Sequence, residues 1–135
     1  IKIVRESSSQ PALVLGSEYK LQQIFLNLFL NALDAMSRGG WLSITTRFDG
    51  NQIAIEISDT GNGIAPEHLA RIYDPFFTTK TAGQSIGLGL SITYGIVKEH
   101  KGSLVCESTI GKGTCFTIEF PKTTVGELRP IQAAN

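Results

Sequence analysis

The longest regular pattern in the chain runs from Leu21 to Met36. At about 100° per residue, Leu21, Ile24, Phe25, Leu28, Phe29, Ala32, Leu33, Ala35 and Met36 cover a broad apolar arc, which Leu26 and Leu30 widen. Gln23, Asn27, Asn31 and Asp34 share the narrow arc left over. Ser17 is a good N-cap and Gly39-Gly40 a stop, so a helix is expected from Ser17 to about Arg38, buried on most sides. Ahead of it, Lys2 to Arg5 and Ala12 to Leu15 read as extended, with a Ser-rich turn between them.

After the glycine pair the apolar period falls to two. Leu42, Ile44, Thr46 and Phe48 form one alternating strand and Ile53, Ile55 and Ile57 the next, with Asp49-Gly50 as a two-residue hairpin signal. Pro66 fits the first turn of a short helix ending near Tyr73. From Phe77 to Ile86 no apolar period survives, which predicts a loop; Leu88 to His100 is helical again. A last hairpin covers Ser103 to Phe120, turning at Ile110-Gly111-Lys112-Gly113, and Pro121 ends it. Helices set between antiparallel strands predict an α+β fold, a two-layer sandwich of a mixed, mostly antiparallel sheet packed on about three helices. A doubly wound parallel sheet does not suit a tight hairpin as the strongest strand pair. One domain is expected over residues 1–122, followed by a loosely held polar tail over 123–135.

The bulk numbers change this picture little. A chain of 135 residues with 41% hydrophobic and 18% charged positions is ordinary for one globular domain. Net charge is zero and no Lys/Arg block occurs, so neither nucleic acid nor an anionic membrane surface is an expected partner. No apolar run reaches about 18 residues and the N-terminus lacks a signal-peptide layout, so a cytoplasmic address is expected. Cys106 falls on the face of Leu104, Cys115 on the face opposite Phe116, Ile118 and Phe120. Side chains on opposite faces of a sheet cannot bridge, so both are expected to be reduced.

The chemistry lies in the polar residues that interrupt these patterns. Two Asn one turn apart weaken a helix, because Asn is a poor helix former. Their neutral oxygens suit Mg²⁺, which uses few protein ligands beside phosphates and water. Asp59 shares the parity of Ile53, Ile55 and Ile57 and so points inward, without an obvious basic partner. An inward carboxylate calls for a hydrogen-bond donor, and a ligand could supply one. Gly61 and Gly63 allow a sharp turn and a close approach to a flat ligand. A P-loop is excluded by the absence of its spacing, so phosphate would meet Gly87-Leu88-Gly89-Leu90 where a helix begins and free N–H groups favour anions.

Read in order, Asn27-Leu28-Phe29-Leu30-Asn31-Ala32, Asp59-Thr60-Gly61-Asn62-Gly63, Asp74-Pro75-Phe76-Phe77-Thr78-Thr79-Lys80 and Gly87-Leu88-Gly89-Leu90 resemble the N, G1, F and G2 boxes of the ATP-binding domain of sensor histidine kinases. Gly113-Thr114-Cys115-Phe116 is similar to the motif that closes that domain. Asp-Pro-Phe-Phe-Thr-Thr-Lys and Asn-Ala-Leu-Asp-Ala-Met are especially like the nitrogen-regulation class. The resemblance implies the Bergerat fold, with ATP and Mg as cofactors. It implies that Asn31 holds the metal, that Asn27 supports it, and that Asp59 accepts a hydrogen bond from the adenine amino group. It extends the ATP-binding set to Asp34, Gly61, Gly63, Ile64, Phe77, Thr78, Lys80, Gly87, Leu88, Gly89, Leu90 and Thr114. Lys80, with Asn27 a candidate catalytic residue, would counter γ-phosphate charge, and Thr78 to Ile86 would form a lid over the nucleotide.

Two departures matter. The related ATPases carry a Glu one turn before the metal-binding Asn; position 27 is Asn, which cannot act as a base. Histidine kinase chemistry is therefore expected rather than ATP hydrolysis by a Bergerat-type ATPase or partner binding by a degenerate module. In the lid, Ser85 and Ile86 stand where the family has small residues, usually Gly then Thr or Ser. The family's phosphoacceptor histidine sits on a separate dimeric helical hairpin; His68 and His100 are not in that motif. The resemblance thus implies as partners the protein's own phosphoacceptor domain and, through it, a response regulator. The isolated domain is expected to be monomeric and the full-length protein a homodimer.

Overall fold

The computed structural model describes residues 1–6, 14, 16–75, 77 and 89–122. Five strands form one sheet: β1 (Lys2–Glu6), β2 (Trp41–Asp49), β3 (Gln52–Asp59), β4 (Ser103–Thr109) and β5 (Gly113–Pro121). Their spatial order is β1-β2-β3-β5-β4, with β1 parallel to β2 and the other pairs antiparallel. Helices α1 (Glu18–Ala35), α2 (Pro66–Leu69) and α3 (Gly89–Glu99) complete the element list. This is the expected α+β sandwich with a mixed, mostly antiparallel sheet.

The strand registers turn the two-residue periods into inward-facing rows: Phe48–Ile53–Phe120, Thr46–Ile55–Ile118–Leu104, Ile44–Ile57–Phe116–Cys106 and Leu42–Asp59–Thr114–Ser108. A one-residue slip would turn each row out to water, so burial fixes the pairing. Ile24, Leu28 and Ala32 of α1, Met36 just after it, and Ile96 and Val97 of α3 cover these rows and form one core with them. Burying each large apolar side chain contributes roughly 1.5–3 kcal/mol. The cysteines lie as parity requires. Cys106 sits opposite Phe116, Cys115 opposite Ser58 and Glu107, and both are free thiols. Burial pushes the Cys106 thiol up to about 12, with the charges of Cys115, Asp59 and Glu107 adding to it.

Several boundaries move. The Ser17 hydroxyl caps α1 by accepting from the Lys20 N–H at 3.3 Å. The helix stops at Ala35 rather than Arg38, because the Ala35 carbonyl accepts the Asn62 N–H at 3.0 Å and the Met36 carbonyl takes the Gly39 N–H at 2.8 Å. Asp49 pairs with Gln52, so the first hairpin turns at Gly50-Asn51, one residue later than expected, with φ +63° at Gly50. Thr109 pairs with Gly113, which narrows the last turn to residues 110–112. The helix opened by Pro66 is one turn long and continues as turns rather than helix to Tyr73.

The expectation that α1 is buried on most sides is also corrected. Tyr19, Leu26, Leu30 and Leu33 are 76%, 56%, 48% and 46% exposed. In two layers a helix has one sheet beneath it and nothing of this domain's described residues above. The expected extended stretch Ala12 to Leu15, apart from the half-buried Val14, as well as Phe76, the expected lid from Thr78 to Ile86, Gly87, Leu88 and the expected tail over 123–135 lie outside the described residues. No helix among the described residues is long and apolar enough to cross a membrane.

Candidate functional site

Asp59 ends β3 in the same inward row as Leu42 and Thr114, and it is only 8% exposed. No ion pair among the described residues includes it. Its carboxylate instead accepts the Gly61 N–H at 2.9 Å and a backbone donor from Thr114. Burial pushes its pKa above the ordinary carboxylate value, and those two donors pull part of the way back. A partly desolvated carboxylate at a strand end keeps acceptor capacity for a ligand donor.

Around it the backbone is closely tied. Ser108 accepts the Ile64 N–H at 2.7 Å, lies 2.8 Å from the Thr114 hydroxyl and donates to the Gly113 carbonyl at 3.0 Å. Its single proton goes to Gly113, so the Thr114 hydroxyl donates to Ser108. The two turn glycines serve this packing first. A Cβ on Gly61 would run into the Ala35 carbonyl, and one on Gly63, at φ +77°, into the Thr109 carbonyl. Their freedom is used against the protein's own backbone, a reason that reading the turn as a cradle for a flat ligand had not included.

The second half of the site lies on helices. Asn27 Nδ2 donates to the Gly89 carbonyl at 3.2 Å and to the Thr93 hydroxyl at 3.1 Å, which joins α1 to the first turn of α3. One turn on, Asn31 has a buried amide nitrogen with no hydrogen-bond partner. Asp34 is exposed on the same arc. The halves meet at the end of α1, where the 61–62 backbone touches Ala35, one turn beyond Asn31. Leu90 packs against the core. Phe77 packs there too, its ring 5.5 Å from His68 and 4.8 Å beneath the Arg71 guanidinium. Thr78, Lys80, Gly87 and Leu88 lie outside the described residues.

The unpartnered Asn31 amide is the feature that fits a magnesium ion. No hydrogen bond from the buried Asn31 nitrogen fixes which end of the amide is oxygen, and with oxygen turned to the site it is a neutral ligand. Among the described residues no cluster of three or more His, Cys, Asp or Glu could hold a metal. The donor set therefore suits an ion that arrives with phosphates and water, as Mg²⁺ does, and not one held in a protein cage.

Thr93 and Ser108 are the two residues that reading the sequence did not single out. Thr93 shares the buried arc of α3 with Ile96 and Val97, and a hydroxyl on such an arc is the signal that could have found it. Ser108 continues the inward parity of Leu104 and Cys106, which leads directly to Thr114.

The profile of the family described as "Histidine kinase-, DNA gyrase B-, and HSP90-like ATPase" matches residues 16–124, which span every described residue of the site. The chain belongs to this family. Among its members, the sensor histidine kinase ZraS of Salmonella typhimurium is 42% identical over 103 residues, 76% of this chain and 22% of that protein. Sporulation kinase C of Bacillus subtilis is 42% identical over 106 residues, 78% of this chain and 24% of its own length. The sensor kinase CckA of Brucella abortus is 39% identical, with 12% of its length covered. The chain thus spans a quarter or less of these relatives. Among solved structures, the nucleotide-free catalytic domain of the histidine kinase ThkA superposes with a TM-score of 0.79 at 31% identity, covering 90% of this chain and 79% of that domain. Full-length ShkA in complex with AMPPNP gives 0.79 at 31% identity, with 92% of this chain and 26% of ShkA covered. The likeness to histidine kinase catalytic domains thus holds; the finer likeness to the nitrogen-regulation class is not singled out by these relatives.

Proposed function

We propose that this domain binds ATP with a magnesium ion and donates the γ-phosphate to a histidine on a separate helical domain of the same protein, from which a response regulator takes it. The observation that carries the reading is the pairing of two ligand-seeking groups. Among the described residues, Asp59 is a buried carboxylate answered by backbone donors, and Asn31 has a buried amide nitrogen answered by none. Asp59 would accept from the adenine amino group, and Asn31 would hold the ion beside the phosphates. When bound, the ion neutralises phosphate charge. The chain's own residues would then bind the base, orient the phosphates at the start of α3 and exclude water, and Lys80 would counter γ-phosphate charge.

Transfer is favoured over hydrolysis because position 27 supplies no base. The Asn27 nitrogen is engaged by Gly89 and Thr93, and an amide takes no proton at ordinary pH. The nucleophile and the group that activates it belong to the partner domain, and positioning supplies most of the remaining catalysis. We place the protein in the cytoplasm, the isolated domain as a monomer and the whole protein as a homodimer. The experiment is radiolabelled ATP with and without the cognate phosphoacceptor hairpin. Label should move to the hairpin, with little phosphate released by the domain alone. Rapid release without the hairpin would favour an ATPase.

A further inference from the structure

Thr93 is wholly buried, and none of the family boxes contains it. It lies on the second turn of α3, where Ile96 and Val97 also turn into the core. Its hydroxyl donates to the Gly89 carbonyl at 2.8 Å and accepts the Asn27 Nδ2–H at 3.1 Å; the same Asn27 nitrogen reaches the Gly89 carbonyl at 3.2 Å. Every polar atom of this triangle facing another is used, and the three residues come from two helices and from positions up to 66 apart. The bond from Thr93 back to Gly89 stays within α3. The two bonds from Asn27, to Thr93 and to Gly89, are the ones in this triangle that cross between helices.

We propose that Thr93 is a positioning residue for nucleotide binding: its hydroxyl fixes the Asn27 amide against the first turn of α3 and so sets the spacing between the Asn31 turn of α1 and the start of α3 at Gly89–Leu90. The inference rests on the proposed reading of these two segments as the metal and phosphate sides of one site. The geometry favours this role over a plain core role. An apolar side chain of the same shape, such as Val, would fill the space equally well and avoid burying a hydroxyl. The hydroxyl is spent on Asn27, one turn before Asn31. Without it the Asn27 amide keeps only the longer bond to Gly89, so the tie between the helices at this turn falls from two hydrogen bonds to one.

The test compares wild type, Thr93→Val and Thr93→Ser by calorimetry with ADP, with and without magnesium, beside thermal melts. Thr93→Val keeps shape and should weaken binding with magnesium by about 5-fold, the equivalent of one buried hydrogen bond, while binding without magnesium changes less. Thr93→Ser restores the hydroxyl and should return the magnesium-dependent part. Side-chain amide NMR signals of Asn27 should shift in Thr93→Val and not in Thr93→Ser. A lower melting temperature in Thr93→Val with an unchanged magnesium dependence would overturn the inference and leave nucleotide binding standing. Absence of ADP binding by wild type would overturn the proposed function, and this inference with it. Were Thr93→Val not to fold, Thr93→Ser with wild-type affinity against a weakened Thr93→Ala would decide in favour, and equal affinities of those two against.

Discussion

The two halves of the candidate site are built by opposite rules. On the strand side, the Asp59 carboxylate accepts from Gly61, and Ser108 joins Ile64, Gly113 and Thr114 through short hydrogen bonds. On the helix side, Asn27 is tied to α3 while Asn31, one turn away, keeps a buried amide with no partner. A buried polar group without a partner destabilises the empty fold by roughly 1–3 kcal/mol. The strand side is thus held by its own hydrogen bonds and leaves only the Asp59 acceptor for a ligand, whereas the helix side carries a buried group that has no partner until a ligand arrives. Substitutions should separate the two: on the helix side they act on ligand and spare the fold, on the strand side they act on the fold as well.

The largest effect is expected at Asn31. Asn31→Ala should abolish phosphate transfer to a supplied hairpin, because the metal loses its protein ligand. The same change should leave the melting temperature of the empty protein unchanged or higher, since the amide has no partner to lose. A calorimetric melt and a transfer assay on one preparation check both halves. A large fall in stability would show that Asn31 is a structural residue.

Asp59→Asn comes next. Hydrogen bonds to charged groups contribute about 1.5–3 kcal/mol, so ATP affinity should fall roughly 10- to 150-fold. The pH dependence of stability carries a sign. Burial raises the folded pKa of Asp59 above its ordinary value, so the folded state takes up this proton before the unfolded state does as pH falls. Wild type should therefore gain stability relative to Asp59→Asn on acidification through that window, and lose the gain as pH rises again. Melts from neutral pH down to about pH 4 test this; an opposite slope would mean that a charged partner holds Asp59 ionised.

Strand-side changes should be smaller and fall on the fold. Gly63→Ala places a Cβ at φ +77° against the Thr109 carbonyl, and a loss of more than about 1 kcal/mol is expected in chemical denaturation. Ser108→Ala removes the acceptor for the Ile64 N–H and should lower stability by about 1 kcal/mol, with a modest loss of affinity through the Asp59 wall. Greater damage to magnesium-dependent binding than to stability in either variant would blur the division between the halves.

Much of this was legible in the sequence, and the limits have physical causes. Strand parity turned Asp59 inward and kept the two cysteines apart, because a period of two leaves no freedom once one face is buried. The polar stripe of α1 was legible for the same kind of reason. The outward Leu26, Leu30 and Leu33 were misjudged, since a helical period reports which residues are apolar and not how many layers cover them. The end of α1 depends on a bond from Asn62, distant in sequence, and no local signal at Arg38 carries that. Thr93 was missed because its partner Asn27 lies 66 positions away and on another element.

The central claim is that Asp59 and Asn31 receive the two ends of one Mg-ATP. It is tested most directly by titrating the domain calorimetrically with ATP and with GTP, each with and without magnesium. Tight binding is expected only for ATP with magnesium, with selectivity over GTP that disappears in Asp59→Asn and magnesium dependence that disappears in Asn31→Ala. Equal affinity for ATP and GTP in the wild-type domain, unchanged by removing magnesium, would contradict it.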